Sequence, residues 1–242
     1  MDKVTNKRVY PMTDKLELLP KNTQLYAELE LNIDQRVGVI FPTFTSAAYT
    51  EPCFWSYYVE IEDDYCLTVK LKPIDLNNPG PSSNNYQHYP GWFYNTSNLA
   101  VQIFSLLGYN MISEIDIHDN PEYLNTYDKI IVLHNQFVTK PVFDAITTHN
   151  KVVYLYPNSL YAEISYNSQD ETITLLHKHN YPAPKINNDF DWIYDNTDVV
   201  YQDCLDVENI KFERINNGIM LNCYPENIIH ASPELLKLIR DF

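Results

Sequence analysis

Glycine is scarce in this chain, with five residues among 242. Neither G-x-G-x-x-G nor G-x-x-x-x-G-K-[ST] occurs. The glycine-rich loops that cradle dinucleotides and nucleotide phosphates are therefore excluded. Long apolar runs are missing too, and none approaches the roughly 18 residues a membrane span needs. The first residues, MDKVTNKRVYPMTDKLELL, hold no apolar core of a secretory leader. The expectation is a cytoplasmic protein, or an exported one if a leader has been trimmed from the N-terminus. Basic residues are outnumbered, 17 Lys and Arg against 32 Asp and Glu, for a net charge of −15. Such a surface repels phosphate backbones and anionic headgroups, so nucleic acid and membranes are not expected as partners. The four cysteines, Cys53, Cys66, Cys204 and Cys223, form no C-x-x-C, which argues against a zinc ribbon. Buried free thiols are the expected state. If a bridge forms, Cys204 and Cys223 are the pair, because they lie in or beside neighbouring strand-like segments.

Hydrophobic residues make up 45% of the chain and charged residues 20%. That balance supports a packed core rather than disorder. The length suits one α/β domain over residues 1–242. It divides into a polar N-terminal segment (1–35), a core (36–160) and a β-rich extension (161–242).

Apolar runs set the core. Val37 to Pro42 (VGVIFP) and Lys129 to Leu133 read as strands buried on both faces. Lys151–Tyr156, Met111–Ile117 and Tyr65–Ile74 read as further strands, with another over Gln24–Leu31. The stretch TFTSAAYTEP after the first strand reads as a loop. Thr96 or Ser97 caps a helix running to Leu107, which Gly108 ends. Thr139 caps a second helix, with Pro141 in its first turn and Val142, Phe143 and Ile146 on its apolar face. Asn120–Tyr127 reads as a turn or short helix. Buried strands alternating with amphipathic helices predict a mainly parallel sheet of about five strands with right-handed crossovers. Beyond Leu160, Ile164–Tyr166 and Thr172–Leu176 predict a hairpin. Val207–Ile215 and Ile219–Tyr224 predict another, turned at Asn216-Asn217-Gly218. A short helix over Pro233–Ile239, capped by Ser232, closes the chain.

Ligands in open α/β sheets bind at the carboxyl ends of strands, and three polar clusters fall there. His134, Asn135 and Gln136 follow the Lys129–Leu133 strand. Tyr156, Asn158, Ser159 and Glu163 follow the Lys151–Tyr156 strand. Thr43 and Thr45 follow the first. The ligand-binding candidates are Thr43, Thr45, His134, Asn135, Gln136, Tyr156 and Asn158; the catalytic candidates are His134, Glu163 and Ser159. Ser159 lacks the flanking glycines of a nucleophile elbow. His177 and His179 share one face of a strand and are the candidate metal ligands, but no third ligand stands at a telling spacing. No motif assigns a cofactor. Trp92, Phe93 and Tyr94, with Phe190 and Trp192, either form a binding surface or pin polar loops inward.

The stretch YLNTYDKIIVLHNQFVTKPVFDAITTHNKVVYLYP, Tyr123 to Pro157, resembles glutamine-amidotransferase-like domains. Within that group it is similar to the C-terminal domain of dimethylformamidase-type large subunits. The likeness covers residues 96–160 and rests on Tyr127-Asp128, an apolar strand, His134 and the helix that follows. It implies a three-layer, flavodoxin-like sandwich. In that family an iron is held by tyrosine and carboxylate oxygens of a His-x-Glu-Tyr motif. Here Gln136 stands in place of the glutamate and Phe137 in place of the tyrosine. The amidotransferase G-x-C-x-G is absent, with Asn158-Ser159 in that region. The resemblance thus implies a non-catalytic or weakly catalytic domain that binds a small polar ligand or a sugar. The alternatives are a hydrolase of C–N (amide) bonds using His134 with Glu163 or a metal, and a module that docks a protein partner through its aromatic loops.

Overall fold

A computed structural model describes residues 20–30, 35–50, 67–71, 97–176, 190, 192, 194, 204, 208, 210–225, 228–230 and 232–242. The fold is α/β. Its main sheet holds β1 (Val37–Phe41), β3 (Asn110–Ser113), β4 (Lys129–Val132), β6 (Val152–Tyr154), β9 (Phe212–Ile215) and β10 (Gly218–Leu221). The spatial order is β3-β1-β4-β6-β10-β9. The first five are mutually parallel, and β9 runs antiparallel at the edge. The chain therefore starts mid-sheet at β1, goes to one side for β3, then crosses back to β4. Apart from the antiparallel edge strand β9 this is the flavodoxin-like order, with its switch point between β1 and β4.

Strand periodicity assigns the two faces. Val39, Ile131, Val153 and Ile219 are register neighbours across four strands and pack against α3 (Asn98–Leu106) and α6 (Pro233–Asp241). The next row, Ile40, Val132, Tyr154 and Met220, faces the other way. It packs with residues of α2 (Thr43–Thr50), α4 (Glu114–Asp119) and α5 (Lys140–Thr148). Both rows are buried because helices cover both faces of the sheet, the ordinary condition of a parallel sheet. A second sheet, in the order β2 (Thr68–Lys70), β8 (Thr172–Leu175), β7 (Ala162–Asn167) and β5 (Phe137–Val138), packs on α2 and α5.

Several sequence expectations change. Gln24–Leu31 is not a strand over its described part: α1 (Thr23–Leu29) is helical, as its Gln, Leu, Ala and Glu favour. TFTSAAYT is helix α2 rather than loop. Met111–Ile117 is strand only to Ser113, whose hydroxyl accepts the Ile115 N–H at 3.1 Å and starts α4. The hairpins form at Ile164–Leu175 and at Phe212–Leu221. The second is no appendage, because β10 pairs in parallel with β6 and extends the main sheet. Cys204 and Cys223 are joined in a disulfide rather than free. Cys53 and Cys66 lie outside the described residues. Among the described residues, no helix is long and apolar enough to cross a membrane.

The Asn216-Asn217-Gly218 turn does more than reverse the chain. Asn217 Nδ2 donates to the carbonyls of Ile146 (2.9 Å) and His149 (3.1 Å), and its Oδ1 accepts the Tyr154 hydroxyl at 3.2 Å. The side chain so ties the end of α5 to β6 and β10. A Cβ on Gly218 would lie 1.9 Å from the Val152 carbonyl oxygen, so only glycine lets the strands meet there. Asn217→Ala is expected to cost about 2–3 kcal/mol by stranding buried partners. A denaturant midpoint lowered at unchanged m-value would show this; an unchanged midpoint would mean the three bonds contribute nothing net.

Candidate functional site

The loop after β4 is the centre. Leu133, His134, Asn135 and Gln136 are all buried, and consecutive residues serve opposite faces of the sheet. His134 turns to the α3 side. Its ring stacks on Tyr156, with centroids 5.7 Å apart at 23°, and meets Tyr224 edge-on at 5.9 Å. Asn158 Nδ2 donates to His134 Nε2 at 2.8 Å. Gln136 hydrogen-bonds the same ring. The backbone N–H of His134 donates to Ser97 Oγ at 3.0 Å. Burial pushes the imidazole pKa down to about 3, against the weaker upward pull of Asn158 and Gln136. His134 is a neutral ring at ordinary pH.

Asn135 turns to the other side. Its Nδ2 donates to Glu114 Oε1 at 2.7 Å. Glu114 Oε2 accepts the Phe44 N–H at 2.6 Å, and the backbone of Thr43 adds a further bond. A buried carboxyl thus sits at the N-terminus of α2, where free N–H groups and the helix dipole favour an anion. Burial still dominates and raises its pKa to about 8, the hydrogen bonds from Asn135, Phe44 and Thr43 offsetting part of the rise. Thr45 Oγ1 accepts the Phe137 N–H at 3.0 Å. Thr43 Oγ1 lies 3.4 Å from Ser113 Oγ.

The two halves meet at the turn after β6. Ser159 Oγ donates toward the carbonyls of Leu133 (2.7 Å) and Tyr156 (2.8 Å). The Leu160 N–H donates to the Asn135 carbonyl at 2.8 Å. Leu160 pays for that bond with a φ of 58°, and Ser97, which holds the His134 N–H, has a φ of 49°. Non-glycine residues avoid this left-handed region, at about 1–2 kcal/mol each. Both strained residues flank the His134-Asn135 peptide. Two amide oxygens here, Asn135 Oδ1 and Asn158 Oδ1, are buried and have no hydrogen-bond partner among the described residues.

The structure therefore splits the expected crevice. His134, Gln136, Tyr156, Asn158 and Ser159 gather on one side; Asn135, Thr43 and Thr45 lie on the other. Glu163 stands on β7 in the second sheet, in register with Val138. The segment after Ser159 continues as strand β7, with no helix behind the serine to stabilise an oxyanion. His177 and His179 lie outside the described residues, as do Trp92, Phe93 and Tyr94. Phe190 stacks on Phe143 at 4.1 Å, and Trp192 packs on Phe143 and Tyr154, so these two rings pack inward. Three site residues were missed. Glu114 carried a signal, since Ser113-x-x-Asp116 has the spacing of a capping box and marks a helix start. Ser97 was read only as a cap, and nothing near Tyr224 marked it.

The iron of the dimethylformamidase-type domains does not fit these residues. Phe137 offers no oxygen and is buried in the core, and Gln136 is held against His134. No family model matches the chain, and the search of curated proteins finds no match.

Proposed function

We propose that this is a non-catalytic domain of amidotransferase-like architecture that binds a small polar ligand at the carboxyl edge of its main sheet. One observation carries the reading: Asn158, buried beside His134 at the strand ends, keeps an amide oxygen without a donor among the described residues. A buried acceptor in that state costs about 1–3 kcal/mol, which a ligand bearing N–H or O–H groups would recover. Backbone strain at Ser97 and Leu160 supports it, since such strain gathers at functional sites. The chemistry supports binding over turnover. An imidazole with a pKa of about 3 is too weak a base at neutral pH, and the Ser159 proton is engaged by backbone carbonyls.

The test is a thermal-shift screen of small amides and sugars, followed by calorimetry. A ligand present at about 100 times its Kd should raise the Tm by about 5–10 °C. His134→Ala and Asn158→Ala should abolish the shift. A screen without hits, or binding that survives both substitutions, would sink the proposal. A second reading, hydrolysis of amides, draws on Glu114, whose carboxyl pKa of about 8 suits acid–base work near neutrality. Amidase activity lost in Glu114→Gln would favour it.

A further inference from the structure

We propose that the outer edge of β9 pairs with β9 of a second copy of this chain, antiparallel and centred on Phe212, so that the main sheet runs continuously through a two-fold dimer.

The first observation is an open stretch of backbone. β9 is the last strand of the main sheet, and β10 pairs with its inner side. The Asn222 N–H donates to the Lys211 carbonyl at 3.0 Å, and the Lys211 N–H donates to Asn222 Oδ1 at 2.9 Å. The peptide groups of Lys211 therefore point inward. Direction alternates along an antiparallel strand, so Glu213 and Ile215 also point inward, while Ile210, Phe212 and Arg214 point outward. Among the described residues, no hydrogen bond reaches the outward backbone groups of these three. One step further on, the Asn216 N–H is taken by the Tyr194 hydroxyl. The open stretch thus runs from Ile210 to Arg214, with Phe212 at its middle.

The second observation is the charge pattern, which selects one register. Residues paired across strands share a face, and a two-fold axis perpendicular to the sheet leaves each residue on its own face. The centre must then be a residue opposite its own copy. Centres on Lys211, Glu213 or Arg214 bring like charges directly together, which is destabilising. A centre on Ile210 runs the pairing into the turn at Glu208. A centre on Phe212 avoids both. It sets Lys211 opposite Glu213 of the second copy, twice by symmetry, with the two Phe212 rings between them on the other face. These Lys–Glu positions are the non-hydrogen-bonded ones, where facing side chains come closest. Within one chain Lys211 and Glu213 already meet at 3.2 Å, both exposed. Across the two-fold, four charges then alternate in sign. Ile210 and Phe212 are half-buried against the core on the α3 and α6 side, and pairing would cover more of both.

Each copy carries a net charge of −15, so two copies repel at a distance. At about 0.15 M salt the Debye length is about 8 Å, which screens that repulsion more than the contact pairs. A short paired edge is a small interface, so a reversible dimer with a Kd of about 1–100 µM is expected.

Sedimentation of the full chain from about 1 µM to about 1 mM in that salt is the test, with amide exchange followed at Phe212 and Arg214. A monomer–dimer equilibrium is expected, and both amides should gain protection as concentration rises. Lys211→Glu and Glu213→Lys should each weaken the dimer by about tenfold or more, because like charges then face one another. Mixed in equal amounts, the two variants should dimerise again, since every facing pair is once more of opposite sign. Arg214→Pro removes one outward N–H, a change that an edge strand tolerates, and should abolish the dimer. Circular dichroism checks the fold of each variant. A wild-type chain that stays monomeric throughout overturns the proposal. So does a dimer that withstands both charge changes, or a pair of folded variants that stay apart when mixed. If a charge variant does not fold, the wild-type exchange decides: protection at Phe212 and Arg214 that ignores concentration overturns it equally.

Discussion

Glu114→Gln is expected to raise stability at pH 8 by roughly 4 kcal/mol and to change it by less than about 1 kcal/mol at pH 4. The reason is the buried carboxyl beside the Phe44 N–H and Asn135. Its pKa is about 8 in the fold, against 4.5 when unperturbed. Below 4.5 both folded and unfolded chains are protonated there, and the contribution of the neutral acid is fully present. Between 4.5 and 8 the unfolded chain ionises while the folded one does not. Stability then falls about tenfold in the folding equilibrium for each pH unit, and the loss is complete once pH passes the folded value. Glutamine keeps the shape and never ionises. Its Oε1 can accept the Phe44 N–H, and an Asn135 amide turned over can offer Oδ1 to its Nε2. Urea unfolding of both proteins from pH 4 to 8.5 is the measurement. Parallel curves would mean that Glu114 is solvated and that the buried-carboxyl account fails. Glu114→Ala, which orphans all three donors, should be less stable than wild type at pH 4 by about 3 kcal/mol.

The acid side belongs to His134. Its folded pKa, about 3, lies below the unperturbed 6.5. Between those values the unfolded chain binds a proton that the folded chain refuses, so stability drops as pH falls from 6.5 toward 3. Over 4.5 to 6.5 this opposes the Glu114 slope, and the two nearly cancel. The wild-type profile should therefore show a plateau from about pH 4.5 to 6.5 with a decline on either side. His134→Asn should lose about 1–3 kcal/mol at pH 6.5, from the broken bonds to Asn158 and Gln136. It should also flatten the acid limb while leaving the alkaline limb intact. Persistence of the full acid limb in that variant would assign it to other groups.

Much of the architecture is legible in the sequence because it is locally encoded. VGVIF and KIIV are unbroken apolar runs, Pro141 fits only the first turn of a helix, and Asn-Gly marks its hairpin. What escapes is encoded at a distance. TFTSAAYT is helical because a carboxyl 70 residues away caps its first N–H groups, and no window around Thr43 contains Glu114. MISEIDI alternates like a strand, yet Ser113 turns it into a helix through one hydroxyl. At the site, strand-end logic finds His134, Asn135 and Asn158 but places them in one crevice. Their division between two faces depends on how the chain turns after Leu133. Tyr224 reaches His134 only because β10 joins the main sheet, which is a fact of topology.

That late arrival bears on how the molecule is made. Strands β3, β1, β4 and β6 are complete once residue 154 has been synthesised, but β10, the partner of β6, comes more than 60 residues later. Until then the free side of Val152, Val153 and Tyr154 is a bare parallel edge, the kind of edge that recruits strands from other chains. The finished sheet ends instead on β9, with Glu213 and Arg214 exposed and Lys211 paired to Glu213 just before it. The hairpin thus replaces the open edge of β6 with a border that carries charge.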